Sequence, residues 1–526
     1  MEWLGFSMRL IRLLTFLLSA VAAAAGLGDY CHVWETGTNG NLVSPNKCLS
    51  CHSNTFLLNG TCVKACPINY IEQNARSPKR NYRLAVGSVC RKAFRSRIQA
   101  DGDASHGGVL PASFHAYDVK AVYGSEDGFA VLYYDGAVAG FGNAAKAYGS
   151  VGDLNHVVKN AKRIFATGSA FAVVYGNDSR LAAWGDAANG GNVSANLTNV
   201  TDVFSTSTAF AAVLTPQNSV SVWGNSREGG CWWEVSATEG FSCMPPALSG
   251  VETVFSTSAA FAALLATNRT VTVWGSKRHG GCNGGTGGTD FACKPGSVSN
   301  VTTIFSNDHV FVALLGDGTL RSWGYNLYGG VGIPADLVGA VQIFHNEYSF
   351  VAKQSDGVIK AWGHAQNGGQ VEDRINTDGV SVRYIVGVHK MYAALRSDGS
   401  IVCWGYQMSY YKGLIESYTN IVTLRGSGKA FSGITASGSV VAWPSNSFGG
   451  TAPSPTALPN AAALHSTYGT FVALTTNHSV ASWGKFSDTF SKSGVWAVAT
   501  THSAIVVMQD VCPTGYFKQE VLGHHC

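Results

Sequence analysis

The chain has 526 residues, of which 46% are hydrophobic and only 13% are charged, so it can hold several domains with large apolar cores. Its 62 glycines show no collagen period and suit the many tight turns of an all-β protein. A formal net charge of +4 is too small to indicate a nucleic-acid partner, which requires a dense basic face.

The N-terminus has the pattern of a signal peptide. Arg9 and Arg12 precede an apolar run over residues 13–25 that ends in small residues. We predict a signal peptide over residues 1–26 with cleavage near Gly26, and an uncleaved N-terminal anchor is the alternative. Export places the chain in an oxidising compartment, which suits its 13 cysteines.

Eight Asn-x-Ser/Thr sequons are compatible with export, although chance alone would supply about five in a chain of this composition. These candidate glycosylation sites are Asn59, Asn177, Asn192, Asn196, Asn199, Asn268, Asn300 and Asn477.

A cysteine-rich segment follows the predicted signal peptide. Residues 48–67 read CLSCHSNTFLLNGTCVKACP, with the spacing Cys-x2-Cys-x10-Cys-x3-Cys-Pro. In a cytosolic protein this spacing would suggest zinc, whereas disulfides are expected after a signal peptide. The segment resembles one furin-like or growth-factor-receptor-type cysteine-rich unit, and we place it with a basic linker at residues 27–98. That resemblance implies two disulfides, Cys48–Cys62 and Cys51–Cys66.

An internal repeat dominates the rest of the sequence. A Trp-Gly pair recurs about every 40 residues, and the degenerate copies Phe141-Gly142 and Trp443-Pro444 fit the same phase. The seven full copies are Trp184-Gly185, Trp223-Gly224, Trp274-Gly275, Trp323-Gly324, Trp362-Gly363, Trp404-Gly405 and Trp483-Gly484. A typical repeat reads VFSTSTAFAAVLTPQNSVSVWG over residues 203–224: an apolar run, a corner, a second apolar run, a polar turn and an alternating run. This pattern predicts three strands per repeat.

Local sequence within the repeat predicts further detail. The polar turn is often Asp-Gly, as in Asp135-Gly136, which favours a two-residue hairpin because both residue types tolerate positive φ. The second run is small and apolar, which suits a crowded position near an axis. The glycine after tryptophan indicates a conformation or a close approach that a Cβ would block.

Successive repeats must stack, because a sheet of three or four strands cannot bury both of its faces. A closed propeller is the favoured arrangement and an open solenoid is the alternative. Residues 494–509, GVWAVATTHSAIVVMQ, have the pattern of the first two strands of another unit without a Trp-Gly strand. A third strand from the first repeat would close the ring, so we predict a propeller over residues 99–510.

The repeats resemble the RCC1-like β-propeller superfamily. Residues 317–332, DGTLRSWGYNLYGGVG, and 356–371, DGVIKAWGHAQNGGQV, match its DG-x-V-x-x-WG-x-N-x-x-G-Q style. The short period is similar to that of the bacterial β-lactamase-inhibitor propeller and of Crinkly-type receptor kinase ectodomains. The resemblance implies an all-β, RCC1-like β-propeller. The nine repeats and the partial one exceed the family's usual seven blades, so we expect about nine short blades, preceded by the small disulfide-rich module.

One departure from the family pattern argues against a nuclear exchange function. The family often has Gly-x-x-His-Ser-Leu before its middle strand, and phenylalanines replace that histidine here. They are Phe171, Phe210, Phe261 and Phe311.

Two loops that follow Trp223 and Trp274 depart from the repeat. They read GGCWWEVSATEGFSCMP and GGCNGGTGGTDFACKP, and their cysteine spacings suit local disulfides. The predicted pairs are Cys231–Cys243 and Cys282–Cys293. We take Trp232, Trp233 and Glu234 as candidate binding residues, because aromatic side chains on rigid loops are favoured contact anchors. Alternatively, the tryptophans cover a blade edge.

Two further cysteine-containing segments complete the chain. Cys403 replaces a small residue of the repeat, so we expect a buried side chain rather than a reactive thiol. Residues 511–526 begin like a second cysteine-rich module, which suggests that the chain belongs to a longer surface protein. A metal cluster at the terminal His524, His525 and Cys526 is the less favoured interpretation.

The sequence contains no Gly-x-Ser-x-Gly, His-Glu-x-x-His or phosphate-loop motif. We therefore expect a secreted or cell-surface binding protein rather than an enzyme. Its expected partner is an extracellular protein or glycan, and we expect no cofactor, no metal and no nucleic acid. An RCC1-type regulatory or exchange factor, and an enzyme with a central-channel site, are the alternatives.

Overall fold

The structure, a computed structural model, describes the repeat region and several short strands nearer both ends of the chain. The described part of the repeat region is residues 96–510 without 113, 144–157, 194–195, 232–240, 245–247, 284–286, 297, 445–447, 453–457, 459, 486–490, 493–494 and 501–503. The predicted signal peptide and the cysteine side chains of the N-terminal module lie outside the described residues, so the pairs predicted there stay predictions. Among the helices that are described, none is long and apolar enough to cross a membrane.

The chain divides into two compact units. The first comprises Met1–Asn74 and Ala85–Ala93, and the second comprises Ala75–Leu84 and Phe94–Cys526. In the first unit, Cys31–Trp34 pairs antiparallel with Cys48–Cys51. A second sheet has the strand order Thr61–Val63, Phe56–Leu58, Ser88–Lys92 and Tyr70–Gln73, in which only the central pair is parallel.

Ten small antiparallel sheets, which we call blades 1 to 10, make up the described repeat region of the second unit. Blades 1 to 9 each contain three consecutive strands, called inner, middle and outer in chain order. Their bounds are Val119–Gly124, Gly128–Tyr133 and Val138–Gly142 in blade 1; Ala161–Ala166, Ala170–Tyr175 and Arg180–Gly185 in blade 2; Val200–Ser205, Ala209–Leu214 and Ser219–Gly224 in blade 3; Val251–Ser256, Ala260–Leu265 and Val271–Ser276 in blade 4; Val301–Ser306, Val310–Leu315 and Leu320–Tyr325 in blade 5; Ala340–His345, Ser349–Gln354 and Ile359–Gly363 in blade 6; Val382–Val388, Met391–Arg396 and Ile401–Gly405 in blade 7; Ile421–Gly426, Phe431–Thr435 and Val440–Trp443 in blade 8; and Ala461–Ser466, Thr470–Thr475 and Val480–Gly484 in blade 9.

Short elements supplement the blades. Additional strands pair with three outer strands: Phe241–Ser242 on blade 4, Phe291–Ala292 on blade 5 and Ser491–Lys492 on blade 9. The 3-10 turns are Ala104–His106, Ala187–Asn189, Ser226–Glu228, Thr267–Arg269, Lys277–His279, Asn326–Tyr328, Ala365–Asn367 and Met408–Tyr411. Two short helices are Arg374–Thr377 and Lys412–Glu416, and near the C-terminus Glu520–Val521 pairs with His524–His525.

Blade 10 closes the ring. Its inner and middle strands, Val495–Thr500 and Ala504–Asp510, are completed by Ser96–Gly102 as the outer strand. Strands of blade 10 also contact the inner strand of blade 1. The predicted all-β propeller is therefore confirmed, and its described part contains ten sheets where nine blades were expected. The closing strand precedes the first repeat instead of coming from within it, because the first repeat keeps its own outer strand.

The inner strands of successive blades lie next to one another. Ser205 Oγ donates a hydrogen bond to the Ala166 carbonyl at 2.8 Å, and Ser306 Oγ donates to the Ser256 carbonyl at 2.7 Å. The small apolar run forms the middle strand instead, so the expectation that it lies near the axis is wrong. It is buried on both faces because neighbouring blades cover it, as in Ala209–Leu214.

In six blades the tryptophan of the Trp-Gly motif bonds to the preceding blade, whereas the buried indole nitrogens of Trp184 and Trp443 lack this bond among the described residues. Trp223 stacks on Phe210 with ring centroids 5.0 Å apart, and its indole Nε1 donates to the Gly190 carbonyl of blade 2 at 3.0 Å. The same bond recurs at Trp274–Gly229, Trp323–Gly280, Trp362–Gly329, Trp404–Gly368 and Trp483–Gly449. The phenylalanine that replaces the family's histidine is therefore the stacking partner of the tryptophan. As predicted, a Cβ on Gly224 would be blocked, since it would lie 2.5 Å from the Thr208 carbonyl oxygen.

The Asp-Gly turns are three-residue loops, so the expected two-residue hairpin is wrong. In blade 1 the Gly136 amide donates to the Tyr133 carbonyl at 3.0 Å, and only Gly136 of the turn has positive φ, at +81°. Asp135 Oδ1 accepts from the Ala137 amide at 2.8 Å. A type I turn followed by a left-handed glycine has this pattern. Aspartate therefore stabilises this turn by its side-chain hydrogen bond rather than by adopting positive φ.

Cys403 lies on the outer strand of blade 7 and is buried, with 6% of its surface exposed. Burial raises the pKa of its thiol to about 12. The expectation of a buried residue is confirmed, and the thiol is protonated at neutral pH.

Candidate functional site

The strand directions give the propeller two different faces. One face carries the turns between inner and middle strands and the loops after Trp-Gly, and we call it the corner face. The hairpin face carries the turns between middle and outer strands and the entry into each inner strand. Blade 3 illustrates the division, because Ala209 pairs with Gly224 at the corner face and Leu214 pairs with Ser219 at the hairpin face.

Both cysteine-containing loops start at the corner face. Their disulfides are Cys231–Cys243 and Cys282–Cys293, with Cα–Cα distances of 5.0 and 4.7 Å. After the first loop, Phe241–Ser242 pairs with the outer strand of blade 4, and after the second, Phe291–Ala292 pairs with the outer strand of blade 5. The last part of each loop therefore covers the edge of the next blade.

Trp232, Trp233 and Glu234 lie outside the described residues. The flanking residues Cys231 and Phe241 are described, and both are half-buried at the corner face. The binding role of the three candidates stays a prediction.

Aromatic and histidine side chains form a continuous row on the corner face of blades 4 to 7. The distances between ring centroids are 4.6 Å for His279–His309, 5.0 Å for His309–Tyr328, 4.8 Å for Tyr328–Tyr348 and 5.4 Å for Tyr348–His389. We call these five residues the aromatic row, and all five are half-buried.

The aromatic row was not predicted, although the repeats contain a signal for it. The residue just before the middle strand is small or hydroxylated in blades 2 to 4, where Ser169, Thr208 and Ala259 stand. In blades 5 and 6 the same position holds His309 and Tyr348. An alignment of the repeats at this position would have identified the change in side-chain type.

The first part of the row is uncharged at neutral pH. Burial, together with the charge of Arg278, lowers the pKa of His279 to about 4. Burial and the neighbouring His279 lower the pKa of His309 to about 3. Arg278 lies 4.2 Å from the ring centroid of Tyr325, and its Nε pairs with Asp290 at 3.1 Å. Because Asp290 belongs to the second disulfide loop, that loop is continuous with the row.

A cavity of about 650 Å³ opens on the corner face between blades 7 and 8. Its wall includes Lys390, Tyr406, Gln407, Lys429 and Pro444. The cavity lies where the repeat departs from its usual loop: a 3-10 turn and a short helix follow blade 7 in place of the turn that ends in Gly-Gly.

The candidate glycosylation sites are distributed unevenly. Seven of the eight asparagines are described, and all seven are exposed. Five of them lie on the hairpin face: Asn177, Asn199, Asn268, Asn300 and Asn477. Asn192 and Asn196 lie in the connection between blades 2 and 3, and Asn59 lies outside the described residues.

The backbone conformation also explains why asparagine occurs at some of these positions. Asn199 and Asn300 directly precede inner strands and have φ of +58° and +56°. Asparagine adopts this left-handed conformation more readily than most residues. Asn160, Asn420 and Asn460 have the same conformation at the same repeat position without a sequon.

No group of three His, Cys, Asp or Glu side chains arranged to hold a metal ion occurs in the part of the chain that the structure describes.

Comparisons with known proteins give low-scoring structural similarities. No family model and no curated protein matches the sequence. The ectodomain of the Physcomitrella patens receptor kinase CR4 is 14% identical with a TM-score of 0.29, over 52% of this chain and 70% of that chain. The CRINKLY WD40 ectodomain of the Arabidopsis thaliana receptor kinase ACR4 is 14% identical with a TM-score of 0.29, over 55% and 94%. Yeast RCC1 (Prp20), solved in complex with Kap60, is 15% identical with a TM-score of 0.32, over 86% and 95%.

At these scores the assignment of the fold depends on the chain's own features. Nine repeats form three-stranded blades, indole–glycine bonds join neighbouring blades, and a strand from the start of the repeat region completes the tenth blade. The architecture of this chain is that of a β-propeller whose blades are built from Trp-Gly repeats.

Proposed function

We propose that this chain is a secreted or cell-surface binding protein whose corner face contacts a protein or glycan partner. The proposed activity is binding, without catalysis and without a cofactor. The observation that carries the proposal is the difference between the two faces. Disulfide-closed loops, the aromatic row and a cavity lie on the corner face, whereas five exposed sequons lie on the hairpin face.

The composition of the corner face favours a contact surface. Histidine and tyrosine side chains combine apolar area with hydrogen-bonding groups, and the buried centres of interfaces are enriched in such aromatic residues. His279 and His309 add no charge at neutral pH, so a partner can cover them at a lower desolvation cost than charged groups. Two closed loops beside the row lose less conformational entropy on binding than open loops of the same length.

The sequons support both the compartment and the orientation. Glycans at Asn199, Asn268 and Asn300 would cover the hairpin face of blades 3 to 5 and leave the corner face open. Glycopeptide mass spectrometry of the protein from its source tests this point. Glycans at these positions support export, and unmodified asparagines throughout would contradict it.

The tryptophans of the first disulfide loop provide a test of the binding role. Replacing Trp232 and Trp233 with Ala should weaken binding of the full chain to the source organism's cell surface by about tenfold or more, because buried aromatic anchors dominate binding energy. The thermal unfolding transition should stay unchanged.

Val338→Ala is the matched control, because Val338 is an exposed apolar residue at the hairpin face. It should leave binding unaltered. If the double variant instead unfolds early and binds normally once folded, the tryptophans cover a blade edge and the assignment of this loop is wrong.

A further inference from the structure

Two lysines at the cavity between blades 7 and 8 contact aromatic rings rather than carboxylates. Lys390 Nζ lies 5.5 Å from the ring centroid of Tyr348 and 5.2 Å from that of Tyr406. Lys429 Nζ lies 4.8 Å from the ring centroid of Phe448. Both side chains are half-buried, and neither ammonium group forms an ion pair with a carboxylate in the described part of the chain.

The neighbouring acidic group is already engaged. Glu347 is buried, and its Oε2 lies 2.7 Å from Nδ1 of His389, which also lines the cavity. Its charge therefore has a partner other than Lys390 and Lys429. Two partly desolvated cations that face one concave space attract an anion more strongly than fully solvated lysines do.

The other residues of the cavity wall supply contacts for a ligand whose ring carries hydroxyl groups. Tyr406 is 46% exposed, so a face of its ring is available for stacking. The exposed amide of Gln407 can donate to and accept from hydroxyl groups. A cavity of about 650 Å³ is within the size range of small-ligand sites.

We propose that this cavity binds an acidic sugar residue, with its carboxylate or sulfate group between Lys390 and Lys429 and its ring against Tyr406. A lysine ammonium is a compact charge that pairs with either anion. An acidic peptide is the less favoured ligand, since extended peptides commonly add to a strand edge and Pro444 at the wall has no amide N–H to offer. The inference deepens the proposed function, because it assigns a ligand class to part of the corner face.

Calorimetry of the full chain with defined probes tests this inference. An oligogalacturonate supplies carboxylates, a heparin tetrasaccharide supplies sulfates, and a cello-oligosaccharide is the neutral control. We expect one-to-one binding of at least one acidic probe, weakened by added salt, and no binding of the neutral probe. The acidic probe that binds identifies the anion.

Variants locate the site. Lys390→Gln combined with Lys429→Gln should weaken binding of the acidic saccharide at least about tenfold, which corresponds to about 1.4 kcal/mol. Lys159→Gln is the matched control, because Lys159 is an exposed lysine at the hairpin face, and it should bind normally. Tyr406→Ser changes only an exposed ring and should also weaken binding, which keeps the test informative if the double variant is unstable.

Several results would overturn the inference. They are the absence of binding by both acidic saccharides, unchanged binding by the lysine and tyrosine variants, and equally tight binding of a glutamate oligopeptide. If cell-surface binding still depends on Trp232 and Trp233, these results leave the proposed function intact.

Discussion

At the residue scale, Gly190 combines two requirements of the contact between blades. Its φ is +100°, and its carbonyl accepts the indole N–H of Trp223 at 3.0 Å. A Cβ at this position would lie 2.6 Å from the ring of Phe210, which is fully buried. A side chain here therefore conflicts with both the backbone conformation and the packing of the next blade.

Comparison of two glycines separates these costs. Gly190→Ala should lower the free energy of unfolding by about 1–3 kcal/mol more than Gly332→Ala, because overpacking adds to a similar conformational cost. Gly332 has φ of +86° and no atom within 4 Å of its ideal Cβ, which makes it a matched control. Urea unfolding of both variants measures the difference. An equal loss of unfolding free energy in the two variants would show that the ring of Phe210 moves aside freely.

At this scale the sequence predicted what each residue of the Trp-Gly motif requires, but it did not predict which residue of another repeat it contacts. The glycine after tryptophan was expected at a position where a Cβ would clash. At Gly224 this is correct, because a Cβ there would clash with the backbone of the middle strand. The partner of the tryptophan was not predicted, because the Gly190 carbonyl belongs to the preceding repeat and the contact forms only after the blades stack.

At the element scale, the closing strand holds the two ends of the repeat region together. Ile98 is fully buried in Ser96–Gly102 and pairs with Met508 of blade 10. The following loop places Gly107 against Phe129 of blade 1, with φ of +91°. The contact between blades 10 and 1 thus repeats the geometry between Gly190 and Phe210.

A charge within this strand should open the ring. Ile98→Asp should lower the free energy of unfolding by about 3 kcal/mol or more, because it buries a carboxylate among apolar side chains. Val341→Asp is the control, since Val341 is 52% exposed on the inner strand of blade 6. Denaturant unfolding and small-angle scattering measure stability and size. Equal stability of the two variants would mean that the closing strand contributes little to the ring.

The strands of blades 1 to 9 could be predicted because each repeat carries its own apolar runs and turn residues. The outer strand of blade 10 was assigned to the first repeat because Asp101 stands where the repeat has tryptophan. The sequence GDASHGG over residues 102–108 matches GDAANGG over residues 185–191, so a search for the loop rather than the tryptophan would have found this strand. The prediction of a two-residue hairpin was wrong because Asp-Gly occurs in two-residue and three-residue turns alike.

At the scale of the whole molecule, stacking of the repeats produces the candidate site. Residues about 40 apart in sequence become neighbours on one face, as in the contact of Tyr348 with His389. No single repeat contains the aromatic row or the cavity, so a reading of one repeat at a time could not predict them. The disulfide loops were predictable, because each cysteine pair is local in sequence.

Blocking one face at a time tests most directly whether the protein binds its partner through the corner face. Tyr410→Cys places a thiol at a corner-face position that is 82% exposed, and Val338→Cys places one at a hairpin-face position that is 64% exposed. Coupling of a large polyethylene glycol to each variant, with Cys403 buried and unlabelled, allows binding to the source organism's cell surface to be compared. We predict that the label at 410 abolishes binding and that the label at 338 leaves it intact. Retained binding with the label at 410 and lost binding with the label at 338 would contradict the account.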